Sequence, residues 1–234
     1  MEESFYHNIY ETKGVEYLVT VAFFLLLVPF WMILNKKRRV SHQLQKAAGI
    51  LNAQKLAMPQ GVYHSPGHTW MHLLKSGKAR VGLSGLLVKI TGNVEITPMK
   101  ASGEMTRKGE VVAVLKQKDK TINIVSPLTG KILHFPEIDS ETLLTDPYGK
   151  GWLIEIEPSA WIVETQAYYL ADTVTLWAER EIVRFKDFLA TAMPKHDPSL
   201  AVNALQDGGE LREYCLTDLP KELWTDFDTQ FVNV

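Results

Sequence analysis

Val111-Val-Ala-Val-Leu-Lys-Gln-Lys-Asp-Lys-Thr-Ile-Asn-Ile-Val-Ser-Pro-Leu-Thr-Gly130 is the stretch whose reading decides the fold. Two apolar runs, Val111–Leu115 and Thr121–Val125, flank a polar tip made by Lys116, Gln117, Lys118, Asp119 and Lys120. β-Branched runs on either side of a short polar segment read as antiparallel strands joined by a hairpin. In the second run Ile122 and Ile124 alternate with Thr121 and Asn123, which suits a strand with one buried face. Ser126-Pro127-Leu128-Thr129-Gly130 then reads as a turn. Pro127 presets φ near the turn's second position, and Gly130 supplies backbone freedom at its close.

The same texture extends outward from Tyr63 to Glu157. Short apolar runs, of which Ala79–Val81 and Trp152–Ile156 are the clearest, are punctuated by glycines such as Gly77, Gly92, Gly103 and Gly109. Many short strands with tight turns predict a β-barrel or sandwich over residues 61–158. Beyond it, Ala160–Met193 lacks Gly and Pro, and its aromatic and aliphatic residues recur near helical spacing. One long helix is expected over 159–194, N-capped by Ser159 and ended by Pro194 and Pro198. Residues 195–234 read as a tail with a turn at Asp207-Gly-Gly209 and a short helix near Leu219–Phe231. On the other side, residues 36–60 combine a basic flank with an amphipathic helix over Val40–Met58. That helix would place Leu44, Ala47, Ala48, Leu51 and Leu56 on one side, and Pro59-Gln-Gly61 would break it.

Nearer the N-terminus, Tyr17–Leu34 is an uncharged run of eighteen residues. As a helix it would be about 27 Å long, against a bilayer hydrocarbon core of about 30 Å. A transmembrane helix is therefore expected over 15–35, after an external segment at 1–14. Lys36, Lys37, Arg38 and Arg39 follow it, whereas Glu2, Glu3, Glu11 and Glu16 precede it with only Lys13 among them. The positive-inside rule then puts the N-terminus outside and the remainder in the cytoplasm. A secretory signal carries its positive charge before the apolar run, so this pattern is not one.

Composition excludes several functions. A formal net charge of −2 does not supply the concentrated basic surface that nucleic acid requires. Cys215 is the only cysteine, so neither a disulfide nor a cysteine zinc cluster can form within the chain, and it reads as a partly buried thiol. His64, His68 and His72 recur every fourth residue, but Pro66 and Gly67 oppose a helix there. On a strand, neighbours of that spacing would be about 13 Å apart, too far to share a metal. Asp172, Glu179 and Glu181 read as the solvated face of the long helix. No phosphate loop, nucleophile elbow or dinucleotide fingerprint is present, so no catalytic centre, metal or bound cofactor is expected.

Four stretches resemble the H protein of the glycine cleavage system, a relative of lipoyl and biotinyl carrier domains. They are Gly67-His-Thr-Trp70, Ala79-Arg-Val-Gly-Leu-Ser84, Ser126-Pro-Leu-Thr-Gly130 and Asp146-Pro-Tyr-Gly-Lys-Gly-Trp-Leu-Ile154. The resemblance implies a mainly β barrel-sandwich hybrid, here with an N-terminal transmembrane helix and a C-terminal helical extension. It also implies a lipoyl group on one lysine at a hairpin tip, seven residues before the serine of the S-P-x-x-G turn. Counting back from Ser126 reaches Asp119, and the family's glutamate three residues earlier is Lys116. Lys118 and Lys120 flank the position. Either the tip is an ordinary charged turn, or a turn shorter by one residue makes Lys120, or failing that Lys118, a site for lipoate.

The expected function is a non-catalytic accessory subunit of a bacterial inner-membrane complex, anchored through residues 17–34. By analogy with the redox partners of carrier folds, the complex is expected to be a redox or respiratory one. Trp161, Tyr168, Tyr169, Trp177, Phe185, Trp224, Phe227 and Phe231 are expected at contacts with partner subunits or the membrane, since a small barrel cannot bury so many rings. The alternative is a membrane-tethered lipoyl carrier working through Lys120 or Lys118.

Overall fold

In the computed structural model, residues 14, 16–31, 49, 51–56, 58–170, 172–196, 205–206 and 210–233 are described. The chain divides into two compact units, 1–49 and 50–234. In the first, residues 16–31 form helix α1, along which Tyr17, Phe23, Phe24, Leu26 and Trp31 are all exposed. Among the described residues no helix is long and apolar enough to cross a membrane. The expected span at 15–35 continues into residues 32–35, which lie outside the described ones, as do 1–13 and the basic run at 36–39.

The second unit is built on the apolar runs read from the sequence. Strands β1 (Tyr63–His64), β2 (Thr69–Leu73) and β3 (Ala79–Leu83) lead into helix α2 (Gly85–Thr91). Then come β4 (Glu95–Pro98), β5 (Met105–Thr106), β6 (Val111–Gln117), β7 (Lys120–Val125) and β8 (Gly130–His134). Helix α3 (Ser140–Thr145) precedes β9 (Trp152–Pro158). Strands β1-β2-β3-β9-β8-β5 form one antiparallel sheet and β4-β6-β7 a second. Met71, Val81 and Leu83 of the first sheet share a core with Leu115, Ile122 and Ile124 of the second. Helix α2 was not separable from the strands in sequence. Six of its seven residues are buried, so its apolar side chains show no amphipathic period. Ser84 caps it by accepting from the Leu87 amide.

After β9 the structure departs from the single long helix expected at 159–194. Helix α4 (Trp161–Thr165) stops, and helix α5 (Asp172–His196) starts afresh. The break lets Tyr169 exchange two backbone hydrogen bonds with His64, which satisfies the free edge of β1. Ser159 does not cap α4; its hydroxyl donates to the Thr129 carbonyl, and the N-cap is Ala160. Pro194 does not end α5 but lies in its last turn, where a missing amide costs only one helical bond. The tail continues through a β10–β11 pair (Leu205–Gln206, Glu210–Leu211) and a 3-10 turn at Cys215–Asp218. Helix α6 (Lys221–Phe227) then runs into a π turn at Asp228–Val232. The Asp207-Gly-Gly209 turn lies outside the described residues.

The amphipathic helix expected over Val40–Met58 is a short 3-10 turn at Ala53–Leu56 where it is described, and residues 40–48 are not described. Leu51 and Leu56 are nonetheless buried, as their apolar character demands, and the Leu51 amide donates to Leu211.

Candidate functional site

The β6–β7 ladder fixes the hairpin tip. Lys116 pairs with Thr121 and Gln117 with Lys120, leaving Lys118-Asp119 as a two-residue turn. Lys118 holds φ at 58°, in the left-handed region, and both turn residues are exposed. Lys118 and Asp119 thus occupy the tip together. Lys120 belongs to β7, and its Nζ donates to the Thr217 carbonyl at 2.8 Å while lying 5.6 Å from the Trp224 ring centroid. Partial burial lowers the Lys120 ammonium below its ordinary range, more than neighbouring Asp119 restores it. On the other strand, the Gln117 amide donates to the Thr91 and Asn93 carbonyls. Next to the tip, an open cleft of about 600 Å³ is lined by Asp119, Lys120, His196, Asp218, Lys221 and Glu222.

The free edge of β7 is covered by the tail. Asp228 accepts from the Asn123 amide at 2.9 Å, from Asn123 Nδ2 at 2.6 Å and from Asn233 Nδ2 at 2.7 Å. Burial raises the Asp228 carboxyl above its ordinary range, and these hydrogen bonds only partly offset it.

The two signature turns are structural staples. Glu164 of α4 accepts from the Thr129 amide and hydroxyl at 2.7 and 2.5 Å, and the Tyr168 hydroxyl donates to the Pro127 carbonyl at 2.8 Å. Gly130 is not needed for backbone freedom, contrary to the sequence reading. A Cβ there would come within 2.2 Å of the Glu157 carbonyl oxygen, so glycine permits the close approach of β9. In the second turn, the Asp146 carboxylate accepts from the Gly149 and Lys150 amides, both at 2.9 Å. The turn presents the Pro147 carbonyl to Trp70 Nε1 and the Tyr148 hydroxyl to the Gly85 amide, anchoring β2 and the start of α2. Burial pushes the Tyr148 phenol up to about 12.

The aromatic residues expected at partner contacts are placed largely inside this chain. Trp177, Phe185, Trp224, Phe227 and Phe231 are buried. Phe185, Phe227 and Phe231 pack on one another at 4.9–5.4 Å. Trp161, Tyr168 and Tyr169 are partly buried against the same core. The expectation failed for the five buried rings because it counted the barrel's interior alone. Helix α5 packs on α6, and α6 and the π turn pack on β7, so the rings are buried within the chain.

The histidines differ too. A turn at residues 65–68, with His68 at φ 56°, brings His64 and His68 against the same ring, Trp177, at 5.4 and 5.6 Å. The turn, rather than one continuous strand, is what brings two histidines four residues apart together. His72 is exposed near Gly61. Glu179 is exposed as expected, but Glu181 turns inward to His68 at 3.4 Å and Arg184 at 2.6 Å. Burial alone would raise the Glu181 carboxyl, but these two partners bring it below its usual range. Cys215 is fully buried rather than partly so, and burial pushes its thiol up to about 12. Among the described residues no group of three or more His, Cys, Asp or Glu could hold a metal ion.

Two antiparallel sheets around one core, stapled at the S-P-L-T-G and D-P-Y-G-K-G-W turns, define an H-protein-type β domain. The family model described as glycine cleavage H-protein matches residues 62–180, and the chain belongs to that family. Among its relatives, the glycine cleavage system H protein of Coprothermobacter proteolyticus is 29% identical over 103 residues, 43% of this chain and 81% of that protein. The H protein of Xylella fastidiosa is 30% identical over 96 residues, covering 40% and 73%. A crystal structure of the Mycobacterium marinum H protein aligns with 49% of this chain and 93% of its own, at 24% identity and a TM-score of 0.43.

Proposed function

We propose that this protein is a non-catalytic H-protein-like accessory subunit, held at a bacterial inner membrane by residues 17–34 and working within a larger complex. The observation that carries the reading is the hairpin tip. A swinging-arm carrier needs its lysine free at one set position of the hairpin. Here Asp119 stands at the position the family spacing assigns, Lys120 is tied to Thr217 beside Trp224, and the exposed Lys118 lies one residue away with a left-handed backbone. The tail that holds Lys120 also covers β7 through Asp228, so the surface a carrier would present to its enzymes is occupied by its own chain. Exposed apolar side chains along α1 and the basic run at 36–39 support the anchor and its orientation. A redox or respiratory host follows only by analogy with carrier folds.

Intact-mass spectrometry of the native protein, purified from membranes in mild detergent with its co-purifying subunits, tests the reading. The expected mass is that of the unmodified chain, and a gain of about 188 Da, one lipoyl amide, overturns it in favour of a tethered carrier. In that case the geometry favours Lys118, exposed at the turn, over Lys120 as the modified residue.

A further inference from the structure

The turn between β1 and β2 buries two imidazoles beneath α5. Both His64 and His68 are inaccessible to solvent. The His64 ring lies 5.4 Å from Trp177 and 5.7 Å from Tyr148, and neither of its nitrogens has a hydrogen-bond partner. His68 stacks on Phe231 at 4.8 Å, and its Nε2 lies 3.4 Å from both a Glu181 carboxylate oxygen and Arg184 Nη2, while its Nδ1 has no partner. The charged and titratable groups facing the pair are few. Helix α5 supplies Glu181 and Arg184, already joined at 2.6 Å. The turn before β9 supplies the Tyr148 hydroxyl, bound to the Gly85 amide. The π turn supplies the Phe231 carbonyl, bound to Arg184 at 2.9 Å. The remaining titratable neighbour of His64 is His68.

We propose that His64 and His68 form an acid-sensitive latch between the β domain and helix α5, closed while His64 is neutral and opened by a proton on it. A neutral imidazole packs here as a flat aromatic ring. An imidazolium at His64 would bring a charge and a second unpaired N–H into a site where neither ring nitrogen has a partner, beside His68. Attraction to the Trp177 face is a smaller effect than this desolvation, and the rings are tilted by 44° rather than stacked. Helix α5 packs through Phe185 on Phe227 and Phe231, so its release loosens the tail that holds Lys120 and covers β7. The latch does not depend on whether the hairpin tip carries a group.

Hydrogen exchange of the full-length protein in mild detergent, read by mass spectrometry at pH 7.5 and 5.0 and corrected for the intrinsic rate, tests it. Burial, followed by the charge of His68, lowers His64 from 6.5 to about 4, so the closed state loses stability as pH falls from 6.5 towards 4. Between the two test conditions the opening of residues 172–196 should increase about thirtyfold relative to β6 and β8. His64→Phe should abolish that increase. An unchanged opening in the wild type, or the same increase in His64→Phe, overturns the latch. Should His64→Phe fail to fold, imidazole titration by NMR in the wild-type protein decides instead. A His64 midpoint well below 6.5 supports the latch, and one at or above 6.5 overturns it.

Discussion

Asp228 accepts two hydrogen bonds across the seam between β7 and the tail, one of them from the Asn123 backbone amide on the free edge of β7, and a third from Asn233 within the tail. Asp228→Ala would leave buried donors unpaired, and we expect a loss of about 1–3 kcal/mol in urea unfolding of the full-length chain. Cys215 makes the opposite kind of prediction. With the thiol buried and pushed up to about 12, it should resist iodoacetamide at pH 8 until the tail unfolds; rapid alkylation of the native protein would contradict its placement. At the hairpin tip, counting back from Ser126 reaches Asp119 in the sequence, with Lys118 and Lys120 on either side. The sequence could not show that Lys120 is held by a carbonyl 97 residues further on, because such a partner leaves no local pattern.

Among the elements, the β strands were legible because their periods are local: Ile122 and Ile124 face the core while Thr121 and Asn123 face away. The long helix was misread for an equally physical reason. Residues 160–193 contain no Gly or Pro, and the break at Tyr169 goes with a tertiary pairing to the edge of β1 that local sequence does not carry. Strand β8 enters beside β9 at Gly130, where close approach leaves no room for a Cβ. Gly130→Ala should therefore destabilise by about 1–3 kcal/mol, seen as a lower thermal midpoint, with the Glu157 amide region exchanging faster. Glu164 couples the same turn to α4 through Thr129, so the two elements should loosen together.

For the whole molecule, the tail completes the domain's own core instead of waiting for a partner. Phe185 is fully buried among Phe188, Phe227 and Phe231. Phe185→Ala should cost about 3–5 kcal/mol, measured by chemical denaturation, and weaken α5 before the strands. Removal of residues 160–234 would expose the free edge of β7 and the buried His64, so such a truncation tests folding as much as association. Attachment is better tested at the other unit. Deleting residues 1–35 should release the protein from membranes into the soluble fraction, whereas the full-length chain should resist alkaline extraction.

The sequence by itself determined the strands around Ala79–Val81, Val111–Leu115, Thr121–Val125 and Trp152–Ile156, the two signature turns and the place of Asp119 in the hairpin, because periodicity, turn chemistry and spacing are carried by neighbouring residues. Family membership for residues 62–180 was legible in the same motifs. Only the tertiary structure decided that the aromatic tail folds back on the small sheet, that Lys120 is engaged by Thr217, and that His64 and His68 share one buried site. Those outcomes depend on which apolar faces meet once the chain has closed, and contacts between distant segments are set by burial rather than by spacing.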